Sequence, residues 1–204
     1  MDKSRLIRLA ALAGIIGPTW FALVVTVLTI AQADFMRTLG WNPTGPVIDW
    51  PSGLAMGPYG WIMTLTFFVC GALMAFFAYG LKLALRDGLA TTLLMLAGVA
   101  MMGLIFTSQP TIGRTSYTWY GFLHDAFFVV LGLTLMPGML LLGGVFRKHA
   151  GWKKLSLYTW GTLVLVIPTF WLKGVAFYVF LLAILAWSEV VALRLRAGSF
   201  SETE

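Results

Sequence analysis

Charge is scarce in this 204-residue chain: 11% of its residues are Asp, Glu, Lys or Arg, while 59% are hydrophobic. A soluble domain carries about a quarter charged residues and needs them to cover its surface, so a water-soluble fold would leave too much apolar area exposed. Cysteine is scarcer still. The one thiol, Cys70, lies inside an apolar block, which excludes an intrachain disulfide and reads as a small core residue. Histidine occurs only at positions 124 and 149. A bis-histidine haem or multi-histidine zinc site would need both imidazoles on one side of the chain's fold, and the spans described below place them a membrane apart. No Cys-His cluster exists, so no metal site is expected. A phosphate-cradling loop and a nucleophile-base pair are missing too.

What the chain has instead is long apolar blocks. A helix rising about 1.5 Å per residue needs about 20 apolar residues to cross the hydrocarbon core. About six blocks qualify, at roughly 6–31, 59–84, 89–107, 118–146, 155–172 and 174–195. The expected fold is therefore all-α, a polytopic membrane bundle over 1–196 with no separate soluble domain, followed by a polar tail at 197–204. Only Leu172-Lys173-Gly174 separates the last two blocks, which suits a tight helical hairpin. The first block follows Lys3, Arg5 and Arg8 as a signal peptide would, but it is too long and lacks a small-x-small cleavage site, so it reads as a retained helix.

Basic residues set the expected orientation. With the N-terminus inside, Lys3, Arg5, Arg8, Lys82, Arg86, Arg147, Lys148, Lys153, Lys154, Arg194 and Arg196 fall on the cytoplasmic side, leaving Arg37, Arg114 and Lys173 outside. That bias follows the positive-inside rule in an inner membrane with both termini cytoplasmic. The net charge of +6 is then a topology signal rather than a nucleic-acid footprint, and no nucleic-acid partner is expected.

On the outer side, a loop at 32–58 holds Pro43, Pro46, Pro51 and Pro58 with Trp41, Trp50, Asp34 and Asp49. Prolines restrict its backbone and tryptophans favour headgroup level, so it is expected to form a compact lid. A second outer segment, Ser108 to Tyr117, carries Arg114.

Ionisable residues inside apolar blocks are costly and so mark candidate sites. His124 and Asp125 occur early in the fourth block, whose length would leave them near the headgroups. Neighbours on a helix point about 100° apart, so the two do not form one face-to-face pair. Tyr117, Tyr120 and His124 share a stripe. Arg114 would pair with Asp125. His124 admits three readings: proton carrier, lone axial ligand to a porphyrin or chlorin, or hydrogen-bonded packing residue. Glu189, in the sixth block within a turn or two of Arg194 and Arg196, would pair with Arg5 or Arg8 of the first block near the cytoplasmic interface. Glycines within the blocks suit close helix contacts, and Pro18 and Pro137 should kink their helices.

The run Ser52-Gly53-Leu54-Ala55-Met56-Gly57-Pro58-Tyr59-Gly60-Trp61 resembles the S-x-L-x-x-G-P-x-G-W signature of a bacterial and archaeal six-span family of unknown function, DUF 998. Ala13 to Pro18, Phe77 to Leu81 and Gly121-Phe122-Leu123-His124 fall in the order that family shows. The resemblance implies a fold, not an activity. Where members often carry an acid in the turn after span three, this chain has Phe106-Thr107-Ser108-Gln109-Pro110. Read physically, Gly57 permits a turn, Pro58 suits a helix start, Gly60 allows close approach and Trp61 anchors the interface. The alternative is a binding pocket under the loop, involving Trp50, Ser52, Gly57, Pro58, Trp61, Tyr120 and His124.

Three functions remain open. The first is a non-catalytic protein that binds membrane lipid or packs as an accessory subunit against other membrane-protein subunits. The second is an enzyme acting on a lipid-like substrate through His124, Asp125 and Arg114 as candidate catalytic residues. The third is a small proton-coupled transporter or sensor using Asp125 or Glu189. No motif requires a cofactor; the abundant aromatic surface suits lipid, quinone or a pigment as a bound ligand.

Overall fold

Asp2 opens the first helix. Its side chain accepts from the Ser4 backbone N–H, satisfying one of the donors that a helix start leaves unpaired, and hydrogen bonds from Ser4 hold its carboxyl below the usual carboxylate range. Helix α1 then runs over Lys3–Ala31. In the computed structural model, which describes residues 2–40, 51–107, 118–171 and 175–198, it is followed by a short α2 (Ala33–Thr38) and a 3-10 turn at Pro51–Met56. Then come α3 (Gly60–Leu85) and α4 (Leu89–Gly103), the latter continued by a 3-10 turn, Leu104–Phe106. The chain ends with α5 (Trp119–Lys148), a 3-10 turn at Ala150–Trp152, α6 (Lys153–Trp171) and α7 (Val175–Ala197). The long helices match the apolar blocks to within a few residues. Trp41, Trp50, Arg114, Lys173 and the end of the tail lie outside the described residues.

Five of these helices are long and apolar enough to cross a membrane: Lys3–Ala31, Gly60–Leu85, Leu89–Phe106, Trp119–Lys148 and Ala176–Ala197. The block expected as a further span forms α6, whose first half carries Ser156, Tyr158, Thr159 and Thr162. Ser156, Thr159 and Thr162 are buried, and Thr159 accepts from Trp187 Nε1 of α7 at 3.0 Å, so the polar side of α6 faces its neighbours.

The helices close a ring in chain order. Each of α1, α3, α4, α5, α6 and α7 packs on its sequence neighbour, and α7 returns to α1. Small residues set the spacing: a Cβ on Gly71 of α3 would lie 2.6 Å from the Gly98 carbonyl oxygen of α4, so these backbones meet with nothing between them. Near both ends of the chain, Ala10 and Leu195 meet at Gly80, which puts the two termini at one end of the ring, here called the basic end.

Pro18 stays within α1 rather than ending it. Lacking an N–H, it leaves the Gly14 carbonyl without its helical donor. Ser188 Oγ of α7 donates to that oxygen at 3.5 Å, and Cys70 Sγ of α3 lies 3.4 Å from the Gly17 carbonyl. The carbonyl that proline frees is therefore met from a neighbouring helix, as a membrane span requires.

The core differs between the two ends. At the basic end one continuous cluster joins the ring, from Ile7 and Leu81 to Leu142, Phe146, Trp187 and Leu195. Phe146 stacks on Trp152 at 5.0 Å, and Arg194 lies over the Trp152 ring. At the opposite end the core splits in two. One cluster, with Phe21, Leu54, Met63, Phe67 and Leu104, joins α1, α3 and the 3-10 turns; another, with Val166, Phe177 and Phe180, joins α6 and α7.

Candidate functional site

The cap over this second end is built on a residue at the end of α1. Gln32 is only 2% exposed; its Nε2 donates to the Leu54 carbonyl at 3.1 Å and its Oε1 accepts from the Tyr59 N–H at 3.0 Å. One side chain thus clamps both ends of the segment that precedes α3. The glycines of the Ser52–Trp61 run follow from this clamp. A Cβ on Gly57 would collide with Gln32 Oε1, and one on Gly60 with the Ala55 carbonyl oxygen. The Gly60 N–H donates to the Gly57 carbonyl at 2.8 Å, so Pro58 occupies the second position of a tight turn, where its fixed φ is favoured. It precedes the helix start rather than lying within it. Trp61 is 67% exposed on the outside of the ring, as an interfacial anchor would be, and does not line the interior.

Beneath the cap is a cavity of about 300 Å³. Its floor is the continuous core, through Phe77, Ala78, Leu94, Leu135 and Trp187. Its walls are mainly apolar: Phe21, Phe67, Met101, Leu131, Phe177, Leu181 and Leu185 among them. Few polar side chains reach it, namely Ser52 from the cap, His124 and Asp125 from α5, Cys70 from α3 and Ser188 from α7. An apolar hollow with a small set of convergent polar groups is the form of a small-molecule site, at the lower end of the usual size range.

His124 is the best-defined polar group in it. Thr118 caps α5 by accepting from the Gly121 N–H, and His124 follows roughly one and a half turns into the helix. The 3-10 turn after α4 presents the Leu104 carbonyl to His124 Nδ1 at 3.1 Å, and Thr107 Oγ1 lies 3.2 Å from the same nitrogen. The ring is 5% exposed. Sequence places it with Tyr120 in one stripe at headgroup level. The structure separates them: Tyr120 is 47% exposed at the rim beside Trp119 and Phe106, while His124, one turn deeper, is covered by the Leu104 turn. Asp125 borders the cavity as well, turned away from His124 by the helical step. Its expected partner, Arg114, lies outside the described residues, as does Trp50.

Glu189 takes a different partner from the arginines expected for it. Its Oε1 accepts from Thr19 Oγ1 at 2.8 Å, roughly midway along α1, and the ion pair among the described residues is Asp34 with Arg37. Thr19 also donates to the Ile15 carbonyl, and neither it nor Glu189 lines the cavity. The carboxyl therefore sits deeper in the bundle than the basic end, on the α1–α7 seam.

Gln32 is the residue that sequence reasoning passed over, because a lone glutamine at the edge of an apolar block looks like a span boundary. Among the described residues no three His, Cys, Asp or Glu side chains converge. The family described as "Protein of unknown function (DUF998)" matches residues 15–199. No curated protein and no solved structure matches the chain.

Proposed function

We propose, from the premise that this membrane protein belongs to the DUF998 family, that it is a non-catalytic lipid-binding protein whose helix ring holds one amphipathic lipid-like molecule. The observation that supports this is the cavity itself: an apolar hollow of about 300 Å³, closed at the basic end by packed core and bordered by His124, Asp125 and Ser52 where the cap lies over it. An acyl or prenyl chain fits the walls and a small polar head fits the group around His124. In this reading α6 crosses with the other ring helices, and the basic end, with Lys3, Arg5, Arg8, Arg147, Lys148, Arg194 and Arg196, faces the cytoplasm of an inner membrane.

Extraction of the chain with its surrounding lipid into polymer-bounded discs, followed by lipid analysis, tests this. One lipid class should be enriched over the bulk membrane and should be lost in Leu131→Trp, a substitution that fills the hollow, while thermal stability holds or rises. A lipid profile equal to the bulk membrane for both proteins would contradict the proposal.

A further inference from the structure

The protonation of the His124 ring restricts what the ligand must offer. A carbonyl oxygen can only accept, so the 3.1 Å contact between Leu104 O and Nδ1 requires the proton on Nδ1. Thr107 agrees with that assignment: its hydroxyl donates to Leu104 O at 2.8 Å, which leaves an oxygen lone pair for Nδ1–H. A neutral imidazole then carries its remaining lone pair on Nε2.

Among the described residues, Nε2 has no hydrogen-bond partner. Nor is it sealed against protein: the closed-off, unpaired side-chain atoms among the described residues are Ser156 Oγ and Arg194 Nε. The space that His124 borders is the cavity. His124 is 95% buried and borders an apolar hollow, surroundings in which an unmet acceptor is costly.

Resting on the lipid-site reading above, we infer that the ligand is a neutral amphiphile that donates a hydroxyl hydrogen to His124 Nε2, such as a long-chain alcohol, prenol or acylglycerol, and not a phosphate or carboxylate. An ionised carboxylate or a phosphodiester offers only acceptors and would set lone pair against lone pair. The alcohol oxygen sits beside His124 and its chain runs along Leu131 and Leu181 toward the floor at Trp187.

The test uses the full chain, labelled with ¹⁵N in its histidine rings and placed in lipid nanodiscs, with the His149 signals identified from His149→Gln. The spectrum should show Nδ1 protonated and Nε2 bare in His124. Titration with 1-dodecanol should shift the Nε2 signal saturably, with an affinity at least about tenfold above that of dodecyl methyl ether, which has the same chain and no donor. Methyl dodecyl phosphate, a phosphodiester with no donor, should bind more weakly than the alcohol. Protonated Nε2, equal affinity for alcohol and ether, or tighter binding of the phosphate would overturn the inference while leaving a lipid site in place. Saturable binding by none of the three would overturn the lipid-site reading along with it.

Discussion

The two ends of this ring are equally apolar and pack in opposite ways. At the basic end, Leu81, Leu142, Phe146 and Leu195 interlock in one core that joins helices around the ring. At the capped end, equally apolar helices part around a hollow, and the core survives only as separate clusters on either side. The difference comes from what fills the middle. Glycine and alanine at Gly14, Gly80, Ala10 and Ala192 draw α1, α3 and α7 together at the first end. At the second, the large side chains of Phe21, Phe67, Phe177 and Phe180 line the ring's interior without closing it. Packing gives stability at one end; at the other it gives shape.

The largest expected break in this contrast is at Phe146, fully buried and stacked on Trp152. Phe146→Ala should cost about 3–5 kcal/mol, whereas Leu181→Ala in the cavity wall should cost only about 1 kcal/mol, because a residue already facing a void gives up fewer contacts. Denaturation of both variants in the same lipid environment measures the difference, and equal losses would deny that the two ends are packed differently. Next is Gln32→Ala, which leaves the Leu54 carbonyl and Tyr59 N–H without partners and should destabilise by about 2 kcal/mol. Hydrogen exchange should rise over 51–59 and stay unchanged around Leu142, so that the cap loosens without the basic end.

A smaller effect is expected on the α1–α7 seam. Thr19→Val removes the hydroxyl that Glu189 accepts from and should cost about 1 kcal/mol, with Thr19→Ser restoring most of it. Smallest is Asp34→Asn, which breaks the exposed Asp34–Arg37 pair and should leave the melting temperature unchanged within error, since surface pairs are screened by water.

Much of the ring is legible in the sequence because a bilayer reads hydropathy directly: the apolar blocks and their polar breaks fall where the helices do. The cap is half legible. Gly57 and Gly60 announce a crowded turn, but the crowding comes from Gln32, distant in sequence, and nothing local links them. The cavity is not legible at all. Leu181 lines it and Leu182 is 62% exposed on the outside, and in a membrane both faces of a helix are apolar, so the periodicity that separates core from surface in water carries no contrast here. His124 shows the same limit. Its place in the fourth block gives a depth but not a burial, and only the fold of the chain after α4 brings the Leu104 carbonyl over it. Glu189 is expected to meet the first helix at Arg5 or Arg8; it does meet that helix, but further along, at Thr19, because periodicity carries no signal of which turn faces which.

That adjacent pair of leucines offers the most direct measurement of the central claim, that the ring interior is occupied by a lipid-like molecule. A long-chain alcohol carrying a diazirine in its tail, photolysed with the protein in native lipid discs and mapped by peptide mass spectrometry, would label whatever its tail touches. Adducts are expected on Leu181 and Leu131 as well as on the outward Leu182, with the interior adducts abolished by excess unlabelled alcohol and the exterior ones retained. Labelling confined to Leu182 and other outward residues such as Leu65 and Val99 would contradict it.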